Sequence, residues 1–240
     1  MGKVVTLAQL QGIKIADGID SAPITKGETR EMAAELIRIA PGKRWTATAP
    51  RGSDTYLFML KGAGAIGGTR GRHRFPAQTF ATVQEGVEFT IENDGNAPAD
   101  IVKTIAPPQP KAGTLAGFSG GLSVIERGKA PVKQLPKDHK TRIYFVDDAA
   151  AKSQRGHAMI VLYDTETVTG LHCHPNAESM FVVLDGALQF TVNGEQVVVK
   201  PGQAAIFGLN DRHGLRTADG LSGASFLEFH IPAAYTTVKG

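Results

Sequence analysis

GLHCHPNAESMFVVLDG, residues Gly170–Gly186, is the stretch on which the reading of this chain turns. Its start alternates as a strand does. Residues two apart in a strand share a face, so His172 and His174 point one way and Cys173 the other. The Pro175-Asn176 turn then brings Glu178 toward the same face, ahead of the apolar run Met180–Leu184 that ends at Asp185-Gly186. An H-x-H pair alone is as often a solvated polar face as a ligand pair. A third histidine further along the chain shifts the balance. ALQFTVNGEQVVVKPG (Ala187–Gly202) reads as a hairpin with Asn193-Gly194 as its two-residue turn, and the next run, AAIFGLNDRHGLR, sets His213 on a further strand. Imidazoles and a carboxylate on adjacent antiparallel strands are a ligand set for a divalent transition metal.

The pattern G-x-H-x-H-x(3)-E, a later Gly, then P-G and a later His resembles the two signature motifs of the cupin superfamily across about residues 156–232. That resemblance implies an all-β fold of small jelly-roll barrels with a metal in the barrel mouth. It assigns His172, His174, Glu178 and His213 as ligands of one divalent transition metal, Fe(II) or Mn(II) before Zn or Ni. One spacing departs from the family. Six residues usually separate the ligand Glu from the closing Gly, whereas seven separate Glu178 from Gly186, and Ser179 holds the six-residue position. Serine is a poor ligand for these metals, so the reading keeps Glu178 with an altered turn.

The pattern is written twice. A shift of 124 residues sets Gly62 on Gly186, Asp54 on Glu178 and PRGSDTYLFMLKG on HPNAESMFVVLDG. The same shift sets Thr48, Pro50 and Phe89 on the three histidines. The expected architecture is therefore two tandem jelly-roll (cupin) β-barrels. Residues 1–110 form an N-terminal barrel that has lost its ligands, 111–140 a linker and 141–240 a metal-binding barrel, and the join between them, near Pro107–Lys140, carries Pro107, Pro108, Pro110, Pro131 and Pro136. The acid seven residues before the closing Gly recurs in both halves, which supports Glu178 over Ser179, with Asp54 left as a surface or turn residue. Short strand-like runs separated by turn signals agree with an all-β chain. Residues 1–28 contain one short helix near Leu7–Gln11 and pack across a barrel.

Bulk properties exclude some function classes. Lys and Arg total 26 against 23 Asp and Glu, too even a balance for a nucleic-acid footprint. The cluster Arg70–Arg74 has no aromatic interleaving and reads as a solvated hairpin tip. A single cysteine, Cys173, fits packing in a reducing compartment, and MGKVVTLAQLQGIKIADG has no secretory apolar core. A cytoplasmic protein with a small-molecule substrate is expected, without nucleic acid or membrane, and compatible with a homo-oligomer.

Around the metal, Met180, Val182, Phe190 and Phe207 are the expected pocket, although core packing explains each equally well. Glu228 and His230 alternate on the last strand, but Leu227, Phe229 and Ile231 look more like its inner face, so the polar pair is read as solvent-facing. His157, Arg142 and Tyr144 are read the same way, within reach of the barrel mouth. No Ser-His-Asp order, phosphate loop or CxxC is present. An Fe(II) dioxygenase acting on a small organic acid or enol(ate) leads among the functions the resemblance implies. Redox-neutral Mn, Zn or Ni chemistry (hydrolase, decarboxylase, lyase or isomerase) comes second. Its layout resembles that of the ureidoglycine aminohydrolases, which differ in having E-x-H-x(3)-H and a later Gln. A non-catalytic binding bicupin is third.

Overall fold

A computed structural model describes residues 1–68, 71–109 and 115–240. Arg70 of the basic cluster and Pro110 of the expected linker lie outside the described residues. The first half contributes β1 (Lys3–Thr6), β2 (Ile13–Ala16), β3 (Ile19–Pro23), β4 (Ala33–Ile39), β5 (Arg44–Thr48), β6 (Asp54–Lys61), β7 (Ala65–Gly68), β8 (Gly71–Arg74), β9 (Thr79–Val83), β10 (Glu88–Glu92) and β11 (Ala99–Ala106). The second contributes β12 (Leu122–Glu126), β13 (Val132–Leu135), β14 (Lys140–Val146), β15 (His157–Asp164), β16 (Val168–Cys173), β17 (Glu178–Asp185), β18 (Leu188–Val192), β19 (Glu195–Val199), β20 (Gln203–Phe207), β21 (His213–Thr217), β22 (Gly223–Ile231) and β23 (Val238–Lys239). The remaining regular elements among the described residues are 3-10 turns, one of them at Leu7–Gln9.

The all-β, two-barrel architecture expected from the repeat is what forms. Each half sets a seven-stranded sheet against a smaller one. The large sheets run β12-β9-β6-β11-β4-β3-β2 and β1-β20-β17-β22-β15-β14-β13, matching position for position. The small sheets, β5-β10-β7-β8 and β19-β18-β21-β16-β23, match likewise except that β23 has no counterpart. The first strand of each half is exchanged: β1 pairs with β20 of the second barrel, and β12 with β9 of the first. Within the stretch read as a linker, β12, a 3-10 turn and β13 thus correspond to β1, a 3-10 turn and β2.

The two large sheets pack back to back. Tyr56, Phe58, Phe80, Phe145 and Phe229 meet between them, with Phe80 stacked on Phe145 at 4.9 Å and an interplanar angle of 5°. Alternate residues of the same strands fill the barrel interiors: Leu57 and Met59 in the first, Phe181 and Val183 in the second. Large-sheet strands are therefore buried on both faces. That explains the unbroken apolar runs of β6 and β17 beside the alternating burial of β10.

Local chemistry fixes the turns. Asn193 and Gly194 both have positive φ, 53° and 86°, as a two-residue hairpin turn requires, and Val192 faces Glu195. Gly186 has φ 68°, and a Cβ there would collide with the carbonyl oxygen of Gly223.

Asp54, expected as a surface or turn residue, is fully buried. Its carboxylate accepts hydrogen bonds from Ser153 Oγ (2.5 Å), Phe118 N (3.0 Å), Tyr56 Oη (3.2 Å) and Arg155 Nη1 (3.2 Å), tying the first barrel to the second. Asp54→Ala removes the shared acceptor of these four donors and leaves Arg155 with Glu85 at 3.4 Å as its remaining acid, so a loss of about 3–5 kcal/mol is expected. In calorimetry the unfolding midpoint should fall by roughly 6–20 °C; an unchanged midpoint would refute this role.

Candidate metal centre

Strands β16 and β21 are antiparallel neighbours with His172 directly opposite His213, so the two imidazoles leave the sheet side by side. His174 follows one residue after β16. Ring centroids lie 4.3 Å apart for His172 and His213, 5.0 Å for His172 and His174, and 5.4 Å for His174 and His213. All three residues are buried, His213 completely.

The backbone sets their tautomers. Each Nδ1 faces a carbonyl oxygen: Gly170 at 2.8 Å for His172, Thr236 at 2.9 Å for His174 and Asp211 at 3.0 Å for His213. A carbonyl only accepts, so each Nδ1 donates and each Nε2 keeps its lone pair. One ring nitrogen from each residue lies within 4.8 Å of the other two, and Nε2 is the nitrogen left free to converge. Nε2 of His213 is buried without any hydrogen-bond partner. An orphaned lone pair inside the protein is costly unless something electrophilic takes it up, and three such nitrogens fit a divalent transition metal. Among the described residues this is the one convergent group of three or more potential ligand side chains.

Burial lowers the pKa of all three, His174 to about 4 and His213 to about 3, so they stay neutral and available as ligands. Phe207 stacks on His213 at 4.2 Å and 21° and forms the floor of the site, with Phe190 behind it.

Glu178 is not brought to the histidines. Its carboxylate accepts three backbone N–H bonds, from Arg30 (2.6 Å), Glu31 (2.9 Å) and Met32 (3.0 Å). The 124-residue shift sets this loop on residues 154–156, which include the Arg155 that binds Asp54. The recurrent acid is thus a reciprocal clasp between the barrels, which is why it sits at the same place in both halves. Burial pushes the Glu178 carboxyl up, against the pull of the three amides.

The side chain on the site's face of β17 is Ser179, at the six-residue position, and its Oγ lies 2.9 Å from Nδ1 of His230. Met180 and Val182 share the face of Glu178 and lie in the core between the barrels, not in the pocket. Phe190 and Phe207 belong to the interior of the second barrel.

The same one-residue change of face applies to β22. Leu227, Phe229 and Ile231 belong to the inter-barrel core, while Glu228 and His230 line a cavity of about 450 Å³ beside the histidines. His230 Nε2 lies 2.5 Å from Glu228 Oε1, and its ring stands edge-on to His174 at 4.9 Å. Burial pushes the Glu228 carboxyl up, but the His230 and Arg142 charges outweigh it and hold the group below its ordinary value.

Lys140, Arg142 and Tyr235 also line the cavity. His157 is stacked between Tyr144 (5.7 Å) and Tyr235 (6.3 Å), and burial lowers its pKa to about 4. Tyr235 stacks on His230 at 4.0 Å. It belongs to the last stretch of chain, whose β23 pairs with β16 and whose Thr236 carbonyl orients His174. The E-x-H alternation of β22 was visible in the sequence; the contribution of residues 234–240 carried no signal there. In the first barrel Phe89 packs against Trp45 at 5.4 Å, so an aromatic pair stands where the shift would set His213.

Two outcomes separate the roles. His174→Ala is expected to lose the bound metal, measured by elemental analysis. Glu178→Ala is expected to keep one equivalent while losing about 3 kcal/mol of stability; loss of metal from that variant would return Glu178 to the ligand set.

The metal-free protein should also show a distinctive pH profile. Folded His174 and His213 resist protonation down to about pH 4 and 3, whereas their ordinary value is 6.5. Between those limits the unfolded chain binds more protons, so stability is complete above about pH 6.5 and falls as pH drops toward 4. Thermal melts of metal-free protein across that range check this, with a flatter profile expected for His174→Gln/His213→Gln.

Comparison with known proteins bears on the fold and on one stretch of the sequence. Residues 159–229 match the cupin domain (Cupin_2). No curated protein matches the sequence. Among solved structures, a protein of Pseudomonas aeruginosa described as glyoxylate-induced is similar at TM-score 0.77 and 14% identity, over 100% of this chain and 91% of that one. The protein Ylba of E. coli is similar at 0.74 and 11%, over 96% and 90%. The oxalate decarboxylase of Lactobacillus farciminis, solved as a formate complex, is similar at 0.73 and 12%, over 98% and 88%. These identities speak to the fold alone, and they agree with the two-barrel repeat: residues 159–229, which carry the H-x-H motif, match the cupin domain, and the chain as a whole has a bicupin fold.

Proposed function

We propose that the protein is a metal-dependent enzyme acting on a small organic acid by redox-neutral chemistry, with His172, His174 and His213 holding one divalent metal, Fe(II) or Mn(II) before Zn or Ni. Such an ion, when bound, supplies Lewis-acid polarisation of a substrate carbonyl or carboxylate. The observation that carries the reading is the Glu228–His230 pair lining the same cavity, against the edge of His174.

Glu228 Oε1 faces one ring nitrogen of His230 and Ser179 Oγ the other, which fixes the imidazole plane. A group so placed takes a proton from a bound acid or returns one to it. The aromatic wall of Tyr235, His157 and Tyr144 limits the water beside it. A neighbour in fold that is an oxalate decarboxylase lends support to a small acid as substrate.

Purified protein is expected to carry one metal equivalent and to turn over members of a panel of small organic acids with no oxygen uptake. Glu228→Gln should lower kcat by about 10²–10⁴ with metal content unchanged. Oxygen consumed in step with turnover would instead give the dioxygenase reading, and bound metal without turnover across the panel would give a binding protein.

A further inference from the structure

Lys140 and Arg142 stand two residues apart on β14, in the large sheet, across the barrel from the histidines of the small sheet. Both line the cavity. The Nε of Arg142 is buried with no hydrogen-bond partner, and among the described residues its guanidinium forms no ion pair; a side-chain hydrogen bond to Tyr144 is its contact. Glu228, the acid whose charge acts on it, is already bound to His230. Lys140 donates to Thr169 Oγ1 at 2.7 Å and lies 5.1 Å from the centre of the Tyr163 ring, likewise without a carboxylate.

Two neighbouring half-buried cations are costly to hold together, and the one cavity acid whose charge acts on both, Glu228, is also committed to His230. Lys140 shows the strain: burial first, and then Arg142, lower its pKa. A planar guanidinium with an open edge matches a carboxylate.

We infer that Lys140 and Arg142 form an anion subsite of their own, so that the substrate is a diacid with one acid group at the histidine centre and the second on β14. This rests on the metal reading for the first group only. The cavity of about 450 Å³ is large enough for a short diacid.

The test compares malonate, succinate and glutarate with propionate, butyrate and valerate by titration calorimetry on Mn(II)-loaded protein, metal content being measured alongside. At least one diacid should bind about tenfold or more tightly than the monoacid of equal length, as a charge-assisted hydrogen bond to a buried cation implies. Arg142→Gln and Lys140→Met should bring the two to within about twofold, leaving monoacid affinity and the metal equivalent unchanged.

Equal binding of mono- and diacids by metal-loaded wild type, or a preference that survives both substitutions, overturns the subsite while the metal centre stands. If wild type holds no metal, the centre fails instead. The subsite is then decided on metal-free protein, where the diacid preference and its loss in both variants should still be seen, and absence of binding by every acid overturns it.

Discussion

The two seven-stranded sheets press against each other with their outer faces, and that burial constrains everything around it. A strand buried on both sides has no solvent face, and β6, β9, β17 and β22 are buried at nearly every position. Polar groups that enter such strands must find partners within the protein. Asp54 and Glu178 do so at equivalent places, each reaching the loop before the matching strand of the other half. Exchange of β1 and β12 adds backbone pairing to the same interface. The barrels are thereby locked as a pair, and the metal-competent one is held by a neighbour that itself brings no ligands.

This burial also accounts for what was and was not legible in the sequence. The fold was legible because its signals are local: turn glycines, the Asn193-Gly194 hairpin and a 124-residue repeat survive any tertiary context. The histidines were legible because β16 and β21 lie in the small sheet, where alternation still separates inside from outside. On β17 and β22 alternation is uninformative, since both faces are apolar. Choosing the face of Met180 and Leu227 as the inner one moved each reading by one residue. The weakness of serine as a ligand and the recurrence of the acid kept Glu178 over Ser179, on the face of Met180, and the choice of face on β22 turned Glu228 and His230 out to solvent, when they line the cavity. The recurrence of the acid in both halves was a true signal of a shared task, but the task was to join the barrels.

The displaced carboxylate changes the electrostatics of the centre. Three neutral imidazoles bring no negative charge, and Ser179, at the position where the family places an acid, brings none either. A divalent ion there would keep its full charge in a buried setting, where charges interact far more strongly than in water. Glu228 is the one acid that faces it, shared with His230, and Arg142 and Lys140 add two cations on the opposite sheet. The missing acid at Ser179 and the two cations of β14 both push the cavity toward positive potential, against the single charge of Glu228. On the proposed function, such a cavity favours a ligand that supplies the missing negative charge itself, and the loss of one protein carboxylate would become a gain in selectivity for acids over neutral molecules of the same size.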